Sequence, residues 1–150
     1  MKYIILELIP TSLNPDKGNI IQLSALKIDN LKLLDRFDYR LNKELIPLQS
    51  MIDMISYDEE MFIYKNSKEE ILNDFKKWIE DYKLLVMDNE YTLNYLKEIE
   101  NEKESIFNKL NLPYSEDVID IMINKYHLEP TNHIVDLLYE ALMFENGNNE

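Results

Sequence analysis

Glu7 is the one charge inside an apolar run from Tyr3 to Ile9. If that run is a strand, alternation puts Glu7 on the same face as Tyr3, Ile5 and Ile9. A carboxylate there needs a hydrogen-bond donor, a metal or an opening to water, because burying it unpaired costs a few kcal/mol. The plainer alternative is a strand-end glutamate facing solvent. His127 and His133 are the only histidines, and the chain has no Cys. Two histidines without further ligands at fixed spacing do not make a zinc site. No Gly-rich phosphate loop, Walker motif or nucleophile elbow occurs, which argues against ATP-dependent and acyl-transfer chemistry.

The elements that must position these groups are legible from patterning. Tyr3 to Leu8 reads as a buried strand, closed by Pro10 and the turn-like stretch Thr11 to Gly18. Ile20 to Ile28 is a second strand, Asp29-Asn30 a turn, and Leu33 to Leu41 a third, in which Leu33, Asp35, Phe37 and Tyr39 alternate with Leu34, Arg36, Asp38 and Arg40. Leu48, Met51, Ile52 and Ile55 carry the spacing of a short helix between Pro47 and Ile55. Ser67-Lys68-Glu69-Glu70 is a capping box opening a helix with Ile71, Leu72, Phe75, Trp78, Ile79 and Tyr82 on one stripe. Leu84 to Met87 is a short strand, followed by a helical stretch carrying Leu96, Ile99, Ile106 and Leu110. Within that stretch Lys97 to Glu104 reads as a solvated mixed-charge helix face. Asp117 to Ile121 is a further strand candidate. Ile134, Leu137, Leu138, Ala141 and Leu142 mark a last helix starting near Pro130 and Thr131, and Glu145 to Glu150 a polar, frayed tail. A meander of three strands followed by alternating helices and short strands predicts an α/β fold with a mixed sheet and helices on its faces.

Composition narrows the function. The chain has 150 residues, enough for one domain that buries about 68–70% of its unfolded surface. Sixteen Lys plus Arg stand against 29 Asp plus Glu, a net charge of -13, so the average surface repels phosphate. The absence of Cys fits a reducing compartment, with the cytoplasm as the expected location. No stretch reaches the roughly 20 apolar residues of a membrane span. Arginine occurs only at positions 36 and 40, which leaves few bidentate phosphate clamps.

Tyr3-Ile4-Ile5-Leu6-Glu7-Leu8-Ile9-Pro10-Thr11-Ser12-Leu13-Asn14-Pro15 resembles the first motif of the DEDDh 3′-5′ exonucleases, the DnaQ-like proofreading family with an RNase H-like fold, in which a strand leads into Asp-Leu-Glu-Thr-Thr-Gly and then Leu-Asn-Pro. Ile20 to Ile28 is similar to that family's second strand, Asp35-Arg36-Phe37 to its third, Ile46-Pro47 to its following turn and Asp58-Glu59-Glu60-Met61 to the segment after its short helix. Leu84-Leu85-Val86-Met87-Asp88-Asn89 resembles the strand entering the second motif, Val118-Ile119-Asp120 the next strand, and Asn132-His133 through Ala141 the third motif. The resemblance runs from Tyr3 to Met143, implying an exonuclease-like domain over residues 1–144 with a polar tail at 145–150.

In that family four carboxylates hold two divalent ions and a His acts as general base. Carried over position by position, Glu7 takes the place of the first Asp and Ile9 that of the motif's Glu. Leu93 falls on the Asp of the second motif, and Asp88 replaces the His that opens it. Asp136 aligns with the last Asp when its spacing from Ala141 is kept, which puts Thr131 at the general-base position. His133, three residues before Asp136, reaches that position if two residues have been deleted. Two acids match in kind and two have become hydrocarbons. The resemblance therefore implies an exonuclease-fold domain that has lost nuclease activity and serves as a binding or regulatory module for an unknown protein partner, with no cofactor. The alternative is an active 3′-5′ exonuclease holding Mg²⁺ or Mn²⁺ through Glu7, Asp88 and Asp136, with His133 as base and nucleic acid entering only through the exonuclease-like cleft. Glu90 is a further candidate for a relocated ligand. A homodimer is compatible with either. A third class, an acidic mimic of DNA, requires the acids to line up on one face.

Overall fold

The computed structural model describes residues 1–53, 59–131 and 133–147. Strands β1 (Lys2–Pro10), β2 (Ile20–Asp29) and β3 (Lys32–Leu41) form the expected meander. Both pairings are antiparallel, with Leu6 opposite Ala25 and Ala25 opposite Phe37. The hairpin turn falls one residue later than the sequence suggests, at Asn30 and Leu31, whose φ values of 51° and 67° give the twist that suits a two-residue connection. After helix α1 (Gln49–Asp53) the chain adds a short strand β4 (Ile63–Lys65) parallel to β3. Ile55 and Asp58 lie outside the described residues. Helix α2 (Lys68–Ile79) then leads to β5 (Lys83–Val86), which lies parallel to β1. Helix α3 (Glu90–Tyr95) and strand β6 (Lys103–Ser105) follow, and β6 completes a sheet of order β4-β3-β2-β1-β5-β6. Helices α4 (Ile106–Lys109), α5 (Val118–Tyr126) and α6 (Ile134–Gly147) close the chain.

The alternation along β1 divides the core. Ile4, Leu6 and Leu8 face α2, packing with Leu23, Ala25, Ile71, Phe75 and Ile79. Tyr3 and Ile5 face the other way, against Leu26, Ile28, Val118, Met122, Leu138 and Ala141 of β2, α5 and α6. Strand β2 is covered on both faces and buried over nearly its whole length, the expected state of a strand inside a two-sided sheet.

Three expectations change. Residues Asp117 to Ile121 open helix α5 instead of forming a strand: Val118, Met122 and Tyr126 recur every four residues and are the buried ones, a helical spacing that outweighs the β-branched Val118, Ile119 and Ile121. The single helical stretch expected after β5 is instead α3, which ends at Tyr95, then β6 and the four-residue α4, and Lys103 and Glu104 of the expected charged helix face are sheet. The last helix runs on through Gly147, because Glu145 is held by the Tyr126 hydroxyl and by Lys125 at 3.0 Å. Among the described residues no helix is long and apolar enough to cross a membrane.

Candidate functional site

Strand register builds the site. On the sheet face that looks towards α5 and α6, the cross-strand rows are Ile5–Leu26–Arg36, then Glu7–Ser24–Asp38, then Ile9–Gln22–Arg40. The first row is apolar on two strands and the second and third become polar, so this face changes character at the carboxyl end of β1. Helix α6 starts over the same place and contributes Asp136 from its first turn, where a carboxylate also gains from the helix dipole.

Arg36 is the hub. Its Nη1 donates to Asp136 Oδ1 at 2.7 Å and its Nη2 to Asp136 Oδ2 at 3.4 Å, while its Nε donates to Asp38 Oδ2 at 3.2 Å. One planar guanidinium thus bridges two carboxylates through three nitrogens, the fork geometry that a lysine cannot offer. The Arg36, Asp136 and Asp38 side chains are 33%, 32% and 8% exposed. Burial works to lower the Arg36 pKa, and Asp136 and Asp38 more than reverse it, leaving the guanidinium above its ordinary value. His133 Nδ1 lies 3.3 Å from Asp136 Oδ2, so both Asp136 oxygens face donors. Further along β3, Arg40 Nη2 donates to Gln22 Oε1 at 2.7 Å and its guanidinium lies 3.7 Å over the Phe62 ring, with Gln22 Nε2 passing on to Ser24 Oγ at 3.2 Å. Ser24, Arg36, Asp38, Met61, His133 and Val135 line a small recess beside the guanidinium.

The other candidates take separate places. Glu7 is half-buried, and its charge helps to raise the Tyr91 hydroxyl pKa, after burial and alongside Tyr114. Ile9 packs against the Ile21, Leu41 and Ile46 cluster. Leu93 is 42% exposed on α3. Asp88 sits just past β5 at φ 57° with its carboxylate accepting the Ser105 hydroxyl, which itself caps α4. Glu90 is exposed in the first turn of α3. Thr131 is exposed and accepts the His133 backbone N–H at 3.2 Å. His127 ends α5 in the left-handed region. The structure therefore joins Asp136 and His133 directly and aims Asp88 at β6. Among the described residues, no three His, Asp or Glu side chains are grouped to hold a metal ion. The loop after β1 is fastened to α3 by Tyr95, whose hydroxyl donates to the Ser12 carbonyl at 2.7 Å. Gly18 is required beneath it, since a Cβ there would meet that hydroxyl at 2.1 Å.

Arg36, Asp38 and Gln22 carry the site without having been singled out for it by sequence. The usable signal was present: the only two arginines stand four residues apart on the polar alternation of one strand, so both must face the same side.

No protein-family model matches the chain. It is similar to the PolC-type DNA polymerase III of Staphylococcus aureus, at 20% identity over 143 residues, covering 87% of this chain and 10% of the polymerase. The chain thus spans about a tenth of the length of the curated relatives it matches. Among solved structures it superposes on exonuclease X in complex with 5′ overhanging duplex DNA, with TM-score 0.64 and 13% identity over 99% of this chain and 92% of the other. A 3′-exonuclease recognising the histone mRNA stem-loop matches with TM-score 0.62 and 15% identity over 99% of this chain and 80% of that one. Sheet order, helix placement and these superpositions agree: the chain has the RNase H-like fold of the DnaQ-like 3′-5′ exonucleases.

Proposed function

We propose that this chain is an exonuclease-fold domain without nuclease chemistry, acting in the cytoplasm as a binding or regulatory module for a protein partner. The observation that carries this is the bidentate seat of Arg36 on Asp136. Asp136 is the acid that aligns with the family's last ligand, and its oxygens are committed to a guanidinium and an imidazole. Two-metal hydrolysis needs several carboxylates open to cations and a cleft that admits the scissile phosphate. By the resemblance Ile9 and Leu93 fall on two of the ligand positions, Asp88 is directed at Ser105 and the recess beside Arg36 is small. These residues do not fit a pair of divalent ions. The charge of -13 supports a protein partner over a phosphate backbone. Against a mimic of DNA, four of the acids sit beside lysines, Lys2 with Asp81, Lys65 with Asp74, Lys83 with Glu104 and Lys125 with Glu145, which interrupts an acidic face at those places.

The test is incubation of 3′-labelled single-stranded DNA and RNA with the protein and with Glu7→Gln in millimolar Mn²⁺ or Mg²⁺. Nucleotide release by the wild type should not exceed that of Glu7→Gln. Release abolished by Glu7→Gln would instead establish an active exonuclease using Glu7, Asp88, Asp136 and His133, and would overturn the proposal.

A further inference from the structure

We infer that Arg36 is a built-in cation that replaces metal in holding the sheet to helix α6, so that this fold is stabilised by its own guanidinium where divalent ions would otherwise balance the acids. The inference rests on the reading of a silent site given above. Three observations carry it. Arg36 bridges carboxylates from two elements, Asp38 on its own strand and Asp136 on α6, which is what a bridging cation does. Asp38 is 8% exposed, so its charge at neutral pH requires a counter-charge in place. By the resemblance Ile9 and Leu93 fall on two ligand positions, which leaves two fewer negative charges there, and Asp38 and Asp136 together call for less positive charge than the four units that two divalent ions bring. Arginine fits because its fork supplies three donors at fixed angles and it stays protonated throughout the ordinary pH range.

The experiment is a set of thermal melts of the full chain, with and without millimolar Mn²⁺, on the wild type, Arg36→Leu, Asp136→Leu and the double variant. Arg36→Leu should lower Tm by about 4–10 °C, because it strands a buried carboxylate. Asp136→Leu in the Arg36→Leu background should cost less than half of what it costs in the wild type, since the two side chains act as one unit. Mn²⁺ should leave the wild-type Tm unchanged and raise that of Arg36→Leu by a few degrees, now that Asp38 and Asp136 lack their cation. Should Arg36→Leu fail to fold, Arg36→Lys keeps the charge and loses the fork, and its Tm should fall below wild type and rise with Mn²⁺. Two results would overturn the inference: Arg36 variants that melt with the wild type, or a wild type that gains as much from Mn²⁺ as they do. Nuclease activity in the wild type would overturn the proposed function and with it the replacement of metal, whereas Arg36 variants that melt with the wild type would overturn the inference alone.

Discussion

Trp78 on α2 donates its indole N–H to Asp35 Oδ2 at 2.9 Å, across the sheet face opposite Arg36. That hydrogen bond, helped by the Arg36 backbone N–H and Lys27 against the opposing effect of burial, holds the Asp35 pKa below its ordinary value. A carboxylate with a lowered folded-state pKa contributes stability in full above its unfolded pKa and loses it as pH falls through the folded value. Asp35→Asn should therefore lower Tm by about 1–3 °C at pH 7, the range for a solvent-screened contact, and the difference should vanish as acidification takes the pH down through the lowered folded value. Parallel Tm-against-pH curves for the two proteins would refute this. Glu145 should titrate in the same direction, because Tyr126 and then Lys125 hold its pKa down. The alternation that puts Asp35 and Phe37 on one face and Arg36 and Asp38 on the other was legible from sequence. That Arg36 would reach Asp136, 100 residues away, was not: it depends on where α6 begins over the sheet, and strand patterning carries no such information. Asp136 and His133 were found by resemblance, and only the packed structure shows that their partner is an arginine.

At the level of elements, helix α2 follows its sequence signals closely. Ser67 Oγ accepts the Glu70 N–H at 3.2 Å, although the Glu70 carboxylate reaches the Asn66 N–H at 3.5 Å, one residue before the expected donor. Ser67→Ala should cost about 1 kcal/mol, measured by urea unfolding, with the m-value unchanged. Helix α5 ends on His127 at φ 55° and ψ 45°, with the Leu128 N–H returning to the Ile123 carbonyl at 3.0 Å. His127 is exposed and glycine adopts this conformation without strain, so His127→Gly should stabilise the protein by about 0.5–1 kcal/mol in the same assay. A loss of stability would mean that the His127 side chain contributes more than its backbone strain costs. Elements bounded by caps and long apolar stripes were readable from the sequence, whereas the short ones after β5 were not. β6 has three residues and α4 four, too few for either periodicity to show, and α5 was hidden because Val118-Ile119-Asp120-Ile121 satisfies strand composition while its buried side chains keep helical spacing.

Taken whole, the molecule is one sheet with a core on each face, and β1 and β2 contribute to both. Such cores are not independent, because unfolding either face removes the packing that holds the shared strands. Trp78 is the only tryptophan and lies on the α2 face, 5.3 Å from the Phe37 ring centroid. Leu138 is fully buried on the opposite face. Leu138→Ala should cost about 2–5 kcal/mol from lost transfer energy and the cavity left behind, lowering Tm by about 5–15 °C. Because the sheet couples the faces, Trp78 fluorescence and far-UV circular dichroism should report that lower Tm as a single coincident transition. If the fluorescence midpoint stayed at the wild-type value while the dichroism midpoint fell, the α5–α6 layer would be unfolding on its own. The tie from Arg36 to Asp136 would then fasten a separable layer rather than one edge of a single cooperative unit.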